Sequence, residues 1–274
     1  MNCPIGVFDS GYGGLTILKE LVKKLPEYDF LYLGDNARTP YGTRSFNVVY
    51  EYTLQAVKYL FSQNCRLVII ACNTASAKAL RNIQQLDLPK IAPDRRVLGV
   101  IRPSVEKVAE ITRNGHVGVL GTSGTVISES YPIELKKWSG GKVKTVVQEA
   151  CPMWVPIVEN NEIDTFGADY FIEKNIRNIL QKDKKLDTLI LGCTHYPLLL
   201  NVIKKYVPNK IKILEQGEIV AYKLLDYLTR HPEIGNKLTR NGKIQFQTTE
   251  ATENFENKAA LFLGREIKAN NIHL

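Results

Sequence analysis

Nine short runs rich in Val, Ile and Leu alternate with stretches whose apolar residues recur every three or four positions, and this rhythm commits the chain to βαβ units and a largely parallel sheet. The runs are 5–8, 30–33, 67–71, 97–100, 117–120, 143–147, 188–191, 211–214 and 244–247. Between them lie amphipathic helices. Leu15, Leu18, Leu21, Val22 and Leu25 form one apolar face before Pro26 stops it, and Val220, Leu224, Leu225 and Leu228 form another.

The same pair of phrases occurs twice in the same order. Gly6-Val7-Phe8-Asp9-Ser10-Gly11 precedes Val68-Ile69-Ile70-Ala71-Cys72-Asn73-Thr74, and Gly118-Val119-Leu120-Gly121-Thr122 precedes Leu189-Ile190-Leu191-Gly192-Cys193-Thr194-His195. Each half is a strand ending in a small polar turn, followed by a strand ending in small-Cys-polar. Two similar α/β domains with mostly parallel sheets, related by pseudo-twofold symmetry, are expected. Residues 1–100 with 208–274 would form the first and 101–207 the second, the strand 244–247 and a helix over 256–263 completing the first sheet. Ligands of open α/β sheets bind beyond the carboxyl ends of the strands, so facing domains would bring the two cysteine loops into one cleft.

At 274 residues, 44% hydrophobic and 23% charged, the chain has the length and composition for two such domains. The opening Met1-Asn2-Cys3-Pro4 lacks a basic leader, and no aliphatic stretch approaches the ~20 residues that span a bilayer. A cytoplasmic protein with no membrane partner is expected. Cys3, Cys65, Cys72, Cys151 and Cys193 are odd in number and form no C-x-x-C pair, which fits reduced thiols. The formal charge of +8 comes from separated lysine pairs such as Lys23-Lys24 and Lys204-Lys205, with no basic stripe interleaved with aromatics. No nucleic-acid partner is expected.

Cys72 and Cys193 each follow a strand and precede an expected helix start, where backbone N–H groups favour a thiolate and also bind a carboxylate. Two thiols on opposite faces of a carbon could act as base and acid in inverting it. Other readings of the same residues stay open: a binding module with buried cysteines, a dithiol redox protein, or a Cys-His hydrolase that leaves one cysteine unexplained. Zinc at Cys193 and His195 needs further ligands, and His116, His231 and His273 offer none at suitable spacing. The Asp9 loop, rich in Gly11, Gly13 and Gly14, lacks both G-x-G-x-x-G and a Walker motif.

Several phrases together make the chain resemble the bacterial glutamate racemases of the aspartate/glutamate racemase family. They are Phe8-Asp9-Ser10-Gly11 with Gly13-Gly14, Gly34-Asp35 with Pro40-Tyr41-Gly42, Ala71-Cys72-Asn73-Thr74, Gly121-Thr122 with Thr125, Glu149 ahead of Cys151-Pro152, and Gly192-Cys193-Thr194-His195-Tyr196-Pro197. The resemblance implies interconversion of L- and D-glutamate without cofactor or metal, D-glutamate feeding peptidoglycan synthesis, and leaves room for a homodimer. It implies that Cys72 takes the proton from D-glutamate and Cys193 from L-glutamate, Asp9 assisting the first and His195, oriented by Glu149, the second. Ser10, Tyr41, Gly42, Asn73, Thr74, Thr122, Thr125 and Thr194 would hold the substrate, together with Asp9 and His195. His195 stands where aspartate-specific relatives typically carry glutamate. Arg102 and the turn Leu214-Glu215-Gln216-Gly217 depart from the family's usual wording, so oligomeric arrangement and regulation do not carry over.

Overall fold

A computed structural model describes residues 3–274. Its strands are β1 Ile5–Asp9, β2 Phe30–Gly34, β3 Leu67–Ile70, β4 Arg96–Gly99, β5 His116–Gly121, β6 Thr145–Ala150, β7 Thr188–Gly192, β8 Lys212–Leu214, β9 Ile244–Thr248 and β10 Ala269–Asn271. They form a sheet ordered β10-β9-β2-β1-β3-β4 and a second ordered β6-β5-β7-β8. All the pairings among the described residues are parallel. The central strands are buried along their whole length because helices cover both faces, which is why they read as continuous apolar runs.

The repeated phrases correspond to a repeated topology: β2-β1-β3-β4 and β6-β5-β7-β8 have the same order. In each, the chain leaves adjoining central strands toward opposite sides, which opens a crevice beyond their carboxyl ends. Register then places the functional loops. Phe8 pairs with Ile70, so Asp9 and Cys72 emerge side by side. Gly121 pairs with Gly192, so Thr122 and Cys193 do the same in the other sheet.

The nine expected strands are present, with three differences. Residues 143–147 are displaced to Thr145–Ala150, which puts Glu149 within the strand. A short tenth strand, β10, extends the larger sheet beside β9. Lys212–Leu214, expected with the first domain, pairs with β7 in the second sheet. Leu214 is buried there with Ile190 and Ile101, an apolar seat that overrides Pro208 as a boundary. The chain therefore passes between the sheets after Gly99 and again after Leu214. Among the described residues, no helix is long and apolar enough to cross a membrane.

Candidate active site

The loops after β1, β3, β5 and β7 converge from the two sheets. Gly13 shows how closely: a Cβ there would lie 2.2 Å from Thr194 Oγ1 and 2.4 Å from His195 Nδ1. Only a residue without a side chain lets these strand-end loops meet. Thr16 Oγ1 adds a hydrogen bond to the Thr194 carbonyl at 2.9 Å. On the other flank, Thr74 Oγ1 lies 2.8 Å from Thr122 Oγ1 and 3.4 Å from Thr125 Oγ1, and the Gly124 N–H donates to the Gly42 carbonyl at 2.7 Å.

Cys72 caps the helix Asn73–Lys78, its sulfur accepting from the Ala75 N–H at 3.4 Å and lying 3.3 Å from Ser10 Oγ. Burial, and then the neighbouring Asp9 charge, push its thiol up to about 12 despite these bonds, with the nearby Cys193 adding to the rise. Asp9 is itself buried; desolvation raises its carboxyl pKa, which His195 and the Gly11 N–H only partly offset. Its Oδ2 has no hydrogen-bond partner. This flank of the cleft holds its protons tightly.

The Cys193 flank carries a cation instead. His195 Nδ1 lies 3.8 Å from the Cys193 sulfur and Nε2 lies 2.9 Å from Glu159 Oε1. Burial alone would lower the imidazole pKa, but the bonds to Cys193 and Glu159 outweigh it and push it up to about 10. A cationic imidazole at neutral pH therefore sits between a carboxylate and a sulfur. Phe262 of the helix Thr252–Leu263 meets the His195 ring edge-on at 5.5 Å and shields it from water. Cys193 does not precede an α-helix as expected: Pro197 lies in the 3-10 turn Tyr196–Leu199, and the α-helix begins only at Leu200.

Asp9, Ser10, Gly42, Cys72, Thr74, Thr122, Thr125, Cys193, Thr194 and His195 thus gather where the strand-end loops of the two sheets meet. Two expected side chains have other engagements. The Tyr41 hydroxyl donates to Asp35, and the Asn73 amide bonds Gln216 and Tyr131. Glu149 does not orient His195. Its carboxylate accepts from Asn175 and Asn178 at 2.9 Å and pairs with Lys182 at 2.7 Å, because β6 packs against the helix Phe166–Lys182 that carries all three partners.

Glu159 occupies the place expected for Glu149, and the sequence reading missed it. One signal was available. It is the last residue of the helix Trp154–Glu159, where the helix dipole disfavours an anion, so its presence asks for a counter-cation. Among the described residues, no three His, Cys, Asp or Glu side chains gather as a metal site. All five cysteines are free and buried.

The model of the Asp/Glu/hydantoin racemase family matches residues 5–223. A glutamate racemase of Geobacter metallireducens is 37% identical over 264 residues, covering 96% of this chain and 93% of its own. Among solved structures, a glutamate racemase isoform of Bacillus anthracis superposes with a TM-score of 0.89 at 35% identity, over 99% of this chain and 98% of that one. The Francisella tularensis glutamate racemase in complex with D-glutamate gives 0.87 at 31% identity over the same shares.

Proposed function

The chain belongs to the Asp/Glu/hydantoin racemase family, and on that premise we propose that it interconverts L- and D-glutamate by proton transfer between Cys72 and Cys193. The carrying observation is the pair of cysteines at equivalent strand ends of two sheets with the same strand order, one beside the Asp9 carboxyl and the other beside the His195 imidazole.

In the L-to-D direction Cys193, beside the His195 cation, removes the α-hydrogen as a proton. Cys72, which holds its proton tightly beside Asp9, delivers that proton to the opposite face. The reverse direction exchanges the roles, Cys72 taking the proton and Cys193 returning one. Glu159 fixes the His195 ring through Nε2, leaving Nδ1 toward the sulfur. The Thr74, Thr122 and Thr125 hydroxyls and Ser10 supply neutral donors for the carboxylates, and the unpartnered Asp9 Oδ2 accepts from the amine. Negative charge developing on the α-carboxylate is stabilised by donors already in place inside a dry cleft. D-glutamate made in this way supplies peptidoglycan synthesis from the cytoplasm.

Circular dichroism of D-glutamate incubated with the protein, with D-aspartate in parallel, tests the substrate. Signal decaying to zero for glutamate and holding for aspartate supports the proposal. A steady glutamate signal contradicts it.

A further inference from the structure

The turn at Glu215–Gly217 departs from the family's wording, and the active-site chemistry above leaves it without a role. Its Gln216 lies where the chain passes from the second sheet back to the first, and it is 2% exposed. Three buried side chains there form a closed ring of hydrogen bonds. Asn73 Nδ2 donates to Gln216 Oε1 at 2.6 Å, Gln216 Nε2 donates to the Tyr131 hydroxyl at 2.9 Å, and that hydroxyl donates to Asn73 Oδ1 at 2.7 Å.

The direction of the ring is fixed by its surroundings. Gln216 Nε2 also faces Ser104 Oγ at 2.8 Å and the Val100 carbonyl at 3.3 Å. The Ser104 hydroxyl gives its proton to Val100 O at 2.9 Å, so both groups can only accept from Gln216. An inverted Gln216 amide would set oxygen against oxygen. With Gln216 held this way, each of the other two members has one consistent orientation, and bonds arranged head to tail reinforce one another in a low dielectric.

The ring joins four places. Asn73 adjoins Cys72, Tyr131 belongs to the helix Ser130–Trp138 beside the second sheet, Val100 and Ser104 mark the first passage between sheets, and Gln216 marks the second. We propose that Gln216 is a positioning residue: the ring it closes with Asn73 and Tyr131 sets the loop carrying Cys72 and locks that loop to both passages between the sheets. This rests on the racemase reading above. Breaking the ring lets the Cys72 loop shift relative to the second sheet, and misplacement near 1 Å costs on the order of 100-fold in rate.

The test compares the wild type with Gln216→Met, which keeps length and removes both polar atoms, and with Tyr131→Phe, which opens the ring at another corner. Each should lower kcat on the order of 10- to 100-fold with KM changed less than about 3-fold. The deuterium isotope effect on kcat/KM should rise for D-[2-2H]glutamate, whose deuteron goes to Cys72, and stay near wild type for the L isomer. The double variant should lose little beyond either single one, because a ring opened once is already open. Wild-type kcat and isotope effects in both variants, with only a lower Tm, overturn the positioning role and leave the racemase reading intact. Wild-type protein that fails to racemise glutamate overturns both.

Discussion

His195 lies 2.9 Å through Nε2 from Glu159 and 3.8 Å through Nδ1 from the Cys193 sulfur, so one buried imidazole bridges a carboxylate and a thiol. Glu159→Gln keeps the shape of that contact and removes its charge. The expected result is a fall in kcat on the order of 100-fold in the L-to-D direction, read from the initial rate of racemisation.

The same pair makes stability depend on pH. The folded pKa of His195, about 10, stands above its ordinary 6.5. Its stabilisation is therefore complete below about 6.5 and is lost as pH climbs through the folded value. The Tm of Glu159→Gln should sit below the wild type by the largest margin near pH 6.5, the two curves drawing together toward pH 10. Differential scanning fluorimetry in small pH steps reads this directly.

Glu149→Gln should behave differently. The bonds from Lys182, Asn178 and Asn175 outweigh burial and hold its carboxyl below its ordinary value, so its stabilisation is present at neutral pH and is lost as pH falls. The substitution should cost about 1–3 kcal/mol of stability and leave the pH profile of kcat unchanged. A shifted profile would return Glu149 to the catalytic side.

Gly13→Ala places a methyl group 2.2 Å from Thr194 Oγ1. The buried Thr194 and His195 side chains must give way, at a cost of about 1–3 kcal/mol and a rate loss on the order of 100-fold. Paired Tm and turnover measurements check both numbers. A fully active variant would show that this close approach is dispensable.

Thr122 Oγ1 accepts from the Thr125 N–H and lies 2.8 Å from Thr74 Oγ1. Thr122→Val should raise KM roughly 10-fold, the equivalent of about one hydrogen bond. Thr122→Ser, which keeps the hydroxyl, should restore it in the same steady-state assay.

Most of the fold was legible because buried parallel strands announce themselves as apolar runs, and Cys72 and Cys193 stood out because their phrases repeat. What was missed depends on tertiary position. Lys212–Leu214 reads like any short strand, and its partner is decided by where Leu214 finds an apolar seat. Glu159 carries no motif, so an acid beside the recognisable Cys151-Pro152 phrase drew the assignment instead. Gln216 stands out in the sequence only as a departure from the family's wording, and only the meeting of both chain passages around it shows what its amide bonds.

The most direct measurement follows the α-hydrogen. Racemisation of unlabelled D-glutamate in deuterated water is stopped after a small fraction of conversion, and both isomers are analysed for deuterium at Cα. Transfer between two cysteines on opposite faces predicts deuterium in the L-glutamate formed and almost none in the D-glutamate remaining. L-glutamate that keeps the original hydrogen, or deuterium entering both isomers equally from the first turnovers, would mean a single base and contradict the paired roles of Cys72 and Cys193.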